Sequence, residues 1–299
     1  MAFVKFGVTL RGVHPREYPG LAAAAEQHGF ESVWVPDHIF FPAVIPATFP
    51  YTADGTVPVD PRAPIYDPLL VLASIASATS RVRLGTNVYI LPLRHPVVTA
   101  HSVATLDQLS GGRAILGVGA GWLEDEFTVL SQPFSQRGRR TDECIALIRE
   151  LWSGDVVERA GGSYPLPSVV SQPKPVQRSA ADGGPAVPVL VGGASKAAVR
   201  RAARLGDGWM QPADRKGFDD LAAHISNLGA LRAEFGRSHL PWEVTSRLGE
   251  DEPSARRCAE LGVTRVLSAG PPVPSDTITV ADYHEWFGRF ADEVIAKFP

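Results

Sequence analysis

An apolar strand runs into a loop at Trp34-Val35-Pro36-Asp37-His38, and its end presents a carboxylate and an imidazole side by side. Two more apolar runs end in glycine turns, at Gly117-Val118-Gly119-Ala120-Gly121-Trp122 and at Val189-Leu190-Val191-Gly192-Gly193-Ala194-Ser195. Enzymes built on barrels keep their chemistry at the carboxyl ends of the strands. One acid–base pair and two glycine turns therefore indicate a site that holds a cofactor.

Eight apolar runs of strand length follow one another, and segments with helical periodicity separate them. The predicted strands are residues 4–10, 32–35, 82–90, 114–117, 187–191, 208–211, 242–245 and 265–267. Alternation of strands with helices is typical of a parallel sheet, and eight strands is the number of the commonest α/β barrel. The sequence therefore predicts an α/β fold, a (β/α)8 TIM barrel, with residues 1–299 forming one domain.

Two proline-rich stretches, residues 39–66 and 154–188, are longer than ordinary connections. They predict long insertions after strand 2 and between strands 4 and 5. The first insertion follows the acid–base pair directly and carries five aromatic residues, of which Phe40, Phe41, Phe49 and Tyr51 come before Tyr66 at its end. We take these first four as the candidate lid over an apolar substrate. The alternative is a surface excursion that packs on its own aromatic side chains.

The composition favours small molecules as partners. Of the 299 residues 44% are hydrophobic and 20% are charged, and the formal net charge is −3. This balance gives no basic stripe for nucleic acid and no polybasic run for a membrane surface. No apolar run has membrane-spanning length, and the first residues lead into a strand rather than a signal peptide, so we expect a cytoplasmic protein.

Neither a metal nor a covalent nucleophile is predicted. Cys144 and Cys258 show no metal-ligand or redox spacing, and we expect both to be buried free thiols. The histidines show no metal-ligand spacing, and no G-x-S-x-G nucleophile elbow occurs in the sequence.

His38 is the candidate for proton transfer, because imidazole is the side chain whose ordinary pKa lies nearest to neutral pH. Adjacent residues on a strand point to opposite faces, so Asp37 can share a site with His38 only where the strand ends and the chain turns. The alternative makes His38 a structural hydrogen-bonding residue and Asp37 a cap for the following segment.

The turn after residue 117 has the spacing G-x-G-x-G, and no acidic strand end follows about twenty residues later, so a Rossmann dinucleotide site is disfavoured. Glycine after a strand also lets a flat ring approach the backbone closely, and Trp122 would add an aromatic wall. This reading assigns cofactor contacts to Gly119, Ala120, Gly121 and Trp122. The alternative is a tight turn with a purely structural role.

Two further segments are candidates for cofactor binding. Small and polar residues interrupt a strand at Leu84-Gly85-Thr86-Asn87-Val88, where a bulge at Asn87 and Val88 could support a ring. Gly192-Gly193-Ala194-Ser195 opens a helix, whose free N–H groups favour a bound phosphate. Ser195 is also a good N-cap, so the helix start does not require a ligand.

In their order and spacing these motifs resemble the bacterial luciferase-like monooxygenase superfamily. The resemblance extends from about Phe6 to Trp209, with weaker support at Glu260-Leu261-Gly262-Val263. Its motifs are Trp34-Val35-Pro36-Asp37-His38, Leu84-Gly85-Thr86-Asn87-Val88, Arg94-His95-Pro96, Leu109-Ser110-Gly111-Gly112-Arg113, the turn at 117–122, and Gly192-Gly193-Ala194-Ser195 through Gly208-Trp209.

The resemblance implies a barrel that binds a flavin such as FMN, or the deazaflavin coenzyme F420, with the ring at the strand ends. It implies a non-proline cis peptide near Asn87-Val88, an acid–base role for His38 and phosphate binding by residues 192–195. It also implies a homodimer. Members that oxidise sugar phosphates carry a catalytic glutamate where this chain has Trp122, so that substrate class is not expected. An acidic run comes soon after Trp122 and consists of Glu124, Asp125 and Glu126. One of these residues could have a polar role in the site, or all three could be favourable charges at the start of a helix.

Three functions fit these observations. The first is an F420-dependent oxidoreductase that moves hydride between the coenzyme and an apolar or aromatic small molecule. The form of the glycine turn favours it, as does a GC-rich type of composition with 5 lysines among 29 basic residues. The second is an FMN-dependent monooxygenase that uses dioxygen and reduced flavin from a separate reductase. The third is a non-catalytic flavin-binding barrel, since fold alone does not establish activity.

Overall fold

The computed structural model describes residues 4–57, 59–212 and 217–298. The strands are β1 (Lys5–Thr9), β2 (Ser32–Val35), β3 (Arg83–Thr86), β4 (Tyr89–Ile90), β5 (Ala114–Gly119), β6 (Val157–Arg159), β7 (Leu166–Val169), β8 (Val189–Gly192), β9 (Gly208–Met210), β10 (Glu243–Ser246) and β11 (Arg265–Ser268). The α-helices are α1 (Tyr18–Gln27), α2 (Pro68–Ala78), α3 (Pro96–Ser110), α4 (Glu124–Val129), α5 (Arg137–Ser153), α6 (Lys196–Leu205), α7 (Phe218–Glu234), α8 (Glu252–Glu260) and α9 (Val280–Glu293). Short 3-10 helices lie at Pro15–Glu17, Leu91–Leu93, Phe134–Gln136 and Ile295–Lys297.

The parallel strands close into a barrel. Their hydrogen-bonded order is β3-β2-β1-β11-β10-β9-β8-β5, and β3 also pairs with β5, which completes the ring. The short strand β4 continues β3 along β5. Helices follow the strands and cover the outside, so the predicted (β/α)8 TIM barrel is confirmed. Each of the eight predicted strands is present, within a few residues of its expected bounds. The extent of the domain, residues 1–299, stays a prediction.

The third predicted strand is divided in two. Three residues lie between Gly85 and Tyr89, whereas two lie between their partners Ile115 and Val118 on β5. The extra residue makes the bulge that the sequence predicted, and the peptide bond between Asn87 and Val88 is cis, as the resemblance implied. The bulge lies at the carboxyl end of β3, where barrel enzymes place their sites.

Both long insertions occur where they were expected. The described residues of the first, 36–57 and 59–67, form neither helix nor strand. The second contains β6 and β7, which form an antiparallel hairpin outside the barrel. The helices at their borders have clear start signals, because Asp67 caps α2 through the N–H groups of Leu69 and Leu70, and Pro68 occupies its first turn.

Large side chains fill the interior of the barrel. Trp34, Ile115, Leu190, Met210 and Leu267 form a buried cluster inside it, and Val88 packs against this cluster. Trp34 fits because its neighbours are small: a Cβ on Gly85 would lie 2.2 Å from the Trp34 ring. The interior of the barrel is therefore a packed core, and a cavity opens at the carboxyl ends of the strands.

An ionic network lies around Arg265, at the amino-terminal end of the barrel. The Arg265 guanidinium is fully buried, bonds both oxygens of Glu31 at 3.0 and 3.1 Å, and bonds Glu243 at 2.8 Å. Lys5 and Arg83 lie 3.5 and 3.9 Å from Glu243. Burial by itself would raise the pKa of each carboxyl group, but the attraction of Arg265 outweighs it, so both pKa values lie below the usual range.

Both cysteines are buried free thiols, as predicted. Burial raises the pKa of Cys144 and of Cys258 to about 11, so both are protonated at neutral pH. Over the described ranges, every helix is too short or too polar to cross a bilayer.

Candidate active site

A cavity of about 1170 Å³ opens at the carboxyl ends of the strands. The cavity walls include twelve residues predicted from the strand ends: Asp37, His38, Asn87, Val88, Gly119, Ala120, Gly121, Trp122, Gly192, Gly193, Ala194 and Ser195. Phe49 and Tyr51 from the first insertion also line it. Segments that are up to 158 positions apart in sequence, from Asp37 to Ser195, therefore meet around one space.

His38 is held by a buried glutamate. Its Nδ1 lies 2.9 Å from Oε2 of Glu126, whose side chain is completely buried. The other oxygen of Glu126 accepts the N–H of Ile39 at 2.6 Å. A carboxylate can only accept a hydrogen bond, so Nδ1 carries the proton and Nε2 is the nitrogen left for exchange with a ligand. The contact with Glu126 therefore fixes the orientation of the His38 ring.

Asp37 is tied to Arg94 rather than to His38. Its two oxygens accept hydrogen bonds from the Arg94 guanidinium at 2.5 and 2.8 Å, and Oδ2 also accepts the N–H of Ile90 at 2.8 Å. Burial would lower the pKa of Arg94, but its bonds to Asp37 more than offset this and raise it. Asp37 therefore links the end of β2 to β4 and to the segment after it through these hydrogen bonds, next to His38.

Val88 forms a platform between two glycines. A Cβ on Gly119 would lie 2.6 Å from one Val88 methyl group, and a Cβ on Gly192 would lie 3.0 Å from the other. A side chain at position 119 would therefore displace Val88, and one at position 192 would press tightly against it. The result is a flat apolar surface in the cavity wall, of the kind that fits the face of a ring.

Aromatic side chains also line the cavity. The Phe49 ring meets Trp122 edge to face at 5.1 Å and Tyr51 at 5.3 Å. The Phe41 ring lies 4.7 Å from the His38 ring. Of the four predicted lid residues, Phe49 and Tyr51 line the cavity, Phe41 packs on His38, and Phe40 is not among the described lining residues.

The start of α6 also faces the cavity. Ser195 caps the helix by accepting the N–H of Ala198 at 3.2 Å, and Gly193 has the left-handed φ of 118°. Arg137 and Arg201 line the same space, although Arg201 is already paired with Asp142. Free helix N–H groups and nearby positive charge suit an anionic group such as a phosphate.

Sequence reasoning did not assign roles to Glu126, Arg94 and Gln211, which the structure brings to the site. Glu126 appeared only as one of three acidic residues at a helix start, and nothing in the sequence separates it from its neighbours. Gln211 ends a predicted strand, and that position is the one signal that could have suggested it. In the described part of the chain, no group of His, Cys, Asp and Glu side chains is arranged to hold a metal ion.

The residues that line the cavity are chemically suited to a flat ring with a titratable group beside it. Val88 and the glycines offer a ring support, α6 offers an anion site, and His38 lies at the rim. One buried donor in the wall, Nε2 of Gln211, also has no hydrogen-bond partner among the described residues. A ring cofactor with a phosphate-bearing chain fits all of these features.

Comparison with known proteins agrees with the fold and the motifs. A family model described as "luciferase-like monooxygenase" matches residues 2–249. An uncharacterised protein of Mycobacterium tuberculosis is 35% identical over 286 residues, covering 94% of this chain and 95% of the relative. An F420-dependent glucose-6-phosphate dehydrogenase of Nakamurella multipartita is 35% identical over 199 residues, covering 66% of this chain and 52% of the relative. The solved coenzyme F420-dependent tetrahydromethanopterin reductase of Methanopyrus kandleri has the same fold, with a TM-score of 0.76, 19% identity and full coverage of both chains.

Proposed function

The chain belongs to the luciferase-like monooxygenase family, and from this premise we propose that it is an oxidoreductase that transfers hydride between coenzyme F420 and an apolar or aromatic small molecule. One arrangement carries the proposal: the Val88 platform, flanked by Gly119 and Gly192, lies in the same cavity as a histidine whose Nδ1 is bound to Glu126. A ring support beside one oriented proton-transfer group is what hydride chemistry on a flat coenzyme requires.

Each predicted site residue takes a role in this proposal. Bound F420 would supply or accept the hydride at its ring. Val88 would support the ring face, and Asn87, Gly119, Ala120, Gly121 and Trp122 would complete its pocket. Gly192, Gly193, Ala194 and Ser195 would hold the phosphate at the start of α6.

The proton step belongs to His38. Its Nε2 would give a proton to the substrate or take one from it, while Glu126 keeps Nδ1 protonated and the ring in place. Asp37, bound to Arg94, would position His38 instead of touching the substrate. Phe49, Tyr51 and Trp122 would exclude water and contact an apolar substrate. Phe40 and Phe41 complete the proposed lid.

The choice of F420 has support from a relative with a printed activity, the F420-dependent dehydrogenase of Nakamurella multipartita. The family description names a monooxygenase, which favours FMN with dioxygen as the second candidate. That candidate needs a separate reductase to supply reduced flavin. A homodimer and a cytoplasmic location remain expectations from the sequence, and a non-catalytic barrel is the third candidate.

The binding of the two coenzymes separates these candidates. Purified protein is titrated with oxidised F420 and, separately, with FMN, and the fluorescence of each coenzyme is followed. We expect micromolar affinity for F420 and negligible affinity for FMN. Tight binding of FMN with none of F420 would overturn the choice of coenzyme. Tight binding without turnover of any reduced coenzyme, under air or nitrogen, would favour the non-catalytic barrel.

Replacement of His38 tests the proton step. We expect His38→Ala to slow turnover by ~100-fold or more, the usual contribution of a general acid or base, and to leave the dissociation constant for F420 nearly unchanged. His239→Ala is the matched control, because His239 is exposed and lies outside the cavity. Unchanged turnover in His38→Ala would return His38 to a structural role.

A further inference from the structure

Gln211 follows β9 directly and is buried in the cavity wall, with 4% of its surface exposed. Its side-chain oxygen accepts the Ser246 hydroxyl at 2.7 Å and the N–H of Arg247 at 3.3 Å. A backbone N–H can only donate, so the amide oxygen must face Arg247 and the amide nitrogen must face the other way. Ser246 in turn accepts the N–H of Leu248 at 3.0 Å, so its own proton points to Gln211.

The amide nitrogen is left as a buried donor. Within residues 4–57, 59–212 and 217–298, Nε2 of Gln211 has no hydrogen-bond partner. Buried donors in native proteins nearly always find an acceptor, in the protein, in water or in a ligand. Ser246 and Arg247 occupy the oxygen end of the amide and Gln211 lines the cavity, so a ligand in the cavity can supply an acceptor for Nε2.

Gln211 lies across the barrel from His38, the proposed proton-transfer residue. His38 follows β2 and Gln211 follows β9, and three strands separate β2 from β9 in each direction around the barrel. The two residues therefore lie at opposite sides of the cavity mouth. The Val88 platform and the glycine turns occupy one of the two arcs between them. A ligand on the platform would have His38 at one edge and the Gln211 amide at the other.

We propose that Gln211 is a specificity-determining hydrogen-bond donor that selects a ligand with a carbonyl oxygen on the side facing away from His38. This inference rests on the proposed function and extends it to the class of ligand. Two sources carry that chemistry, a carbonyl group of the coenzyme ring and a carbonyl group of the substrate. In a cavity walled by Phe49, Tyr51 and Trp122, one oriented donor is enough to align an otherwise apolar molecule.

The first measurement needs no variant. Protein labelled with 15N-glutamine is titrated with F420 and, separately, with acetophenone or with ethylbenzene, which lacks the carbonyl group. The side-chain amide signal of Gln211 is the one that Gln211→Met removes. We expect this signal to shift with F420, with acetophenone or with both, and to stay in place with ethylbenzene. A signal that moves with neither F420 nor acetophenone, or equally with ethylbenzene, would overturn the inference.

Affinity gives the second measurement and identifies the source of the carbonyl group. Gln211→Met keeps the length of the side chain and removes the donor, so it should weaken the carbonyl ligand ~10-fold, as expected for one lost hydrogen bond. Gln27→Met is the control, because Gln27 is exposed at the end of α1, outside the cavity. Loss of F420 affinity assigns the donor to the coenzyme, and loss of acetophenone affinity alone assigns it to the substrate. Unchanged affinity for both contradicts the inference.

Failure of this inference can be distinguished from failure of the proposed function. If the wild-type protein does not bind F420, the choice of coenzyme is wrong, and the acetophenone titration of the protein alone still decides whether Gln211 recognises a carbonyl group.

Discussion

At the scale of single residues, the proposed proton transfer depends on the hydrogen-bonded pair of the half-buried His38 and the buried Glu126. A histidine near a ligand can present either nitrogen, and its tautomer depends on the group that binds the other one. Here Glu126 binds Nδ1 at 2.9 Å and is itself fixed by the N–H of Ile39 at 2.6 Å. In the proposed mechanism the Glu126 carboxylate therefore acts through His38, as a positioning residue.

Glu126→Gln should reverse the tautomer of His38. The amide oxygen of glutamine would still accept the N–H of Ile39, so its NH2 group would face Nδ1 and force that nitrogen to accept. The proton of the neutral ring would then lie on Nε2, and the ring would no longer be poised to take up a second proton. We expect kcat to fall by ~10-fold or more. We also expect the 15N shifts of His38 to show a protonated Nε2 in place of a protonated Nδ1.

Glu124→Gln is the matched control. Glu124 lies on the same short helix and lines the cavity, but it is exposed and makes no described bond to His38. Its replacement should leave the His38 tautomer and kcat unchanged. A slow Glu126→Gln variant that kept the Nδ1 tautomer would contradict the positioning role and point to a general disturbance of α4.

The sequence predicted His38 but not its partner, for a physical reason. A histidine at a strand end is recognisable locally, because the strand and the turn lie next to it. Glu126 is 88 positions away, and its carboxyl group was indistinguishable from those of Glu124 and Asp125. Only the closed barrel brings α4 against the loop after β2. The orientation of Gln211 was hidden for the same reason, since Ser246 fixes it from the neighbouring strand.

At the scale of secondary-structure elements, the break between β3 and β4 positions the proposed ring support. The bulge directs Val88 into the cavity, and the glycines at the ends of β5 and β8 leave room for its two methyl groups. Three neighbouring strands thus contribute one surface. The sequence analysis identified the bulge and the two glycine turns as separate short motifs. The parallel register of the strands explains why these three segments meet.

Gly119→Ala tests this surface. The added methyl group would lie 2.6 Å from Val88 Cγ2, so the Val88 side chain has to move. We expect the dissociation constant for F420 to rise by ~10-fold, with a loss of stability of about 1 to 2 kcal/mol from overpacking. Fluorescence titration measures the first quantity and urea unfolding the second.

Gly161→Ala is the matched control for this substitution. Gly161 lies in the turn between β6 and β7, and no described atom lies within 4 Å of an added Cβ. Its replacement should change neither coenzyme affinity nor stability by a measurable amount. Unaltered F420 affinity in Gly119→Ala would mean that the ring does not rest on Val88.

The elements also show where prediction from sequence succeeds. Strands of barrel type are continuous apolar runs, so all eight were found, and the helical periodicity between them correctly indicated that helices separate the strands. The hairpin of β6 and β7 was not predicted, because its exposed residues carry little hydrophobic pattern and it packs outside the barrel. The conformation of the first insertion was equally inaccessible, since the aromatic contacts that order Phe49 come from Trp122 on another element.

At the scale of the whole molecule, the two ends of the barrel have different tasks. The carboxyl end holds the cavity, and the amino end holds the network of Arg265, Glu31 and Glu243 beneath Trp34. The Arg265 guanidinium lies 5.3 Å from the Trp34 ring and is completely buried. Because the network is remote from the cavity, its removal should affect stability without a direct effect on ligand binding.

We expect Arg265→Met to destabilise the protein by about 3 kcal/mol at pH 7, because it leaves two partly buried carboxylates with only Lys5 and Arg83 nearby. Urea unfolding gives the value. Arg257→Met is the matched control, since Arg257 pairs with Glu260 on the surface, where both side chains are more than half exposed. An exposed pair contributes at most about 1 kcal/mol, so this variant should unfold almost like the wild-type protein.

Unfolding of the same variant at acidic pH tests whether the charge of Arg265 causes this stabilisation. The pKa values of Glu31 and Glu243 lie below their ordinary value of 4.5 in the folded protein, so the unfolded chain binds protons more readily than the folded one. The stabilisation is therefore complete above about pH 4.5 and is lost as the pH falls through the lowered folded-state pKa values. Without Arg265, only the weaker attraction of Lys5 and Arg83 opposes the effect of burial, so the folded-state pKa values of the two carboxyl groups rise. The unfolding free energy of Arg265→Met should therefore fall less steeply between about pH 5 and pH 3 than that of the wild-type protein. A contrary result would be that the unfolding free energies of the two proteins fall in parallel with pH and that the variant has lost its affinity for F420. Arg265 would then support the barrel by packing under Trp34, and its charge would have no part in stability.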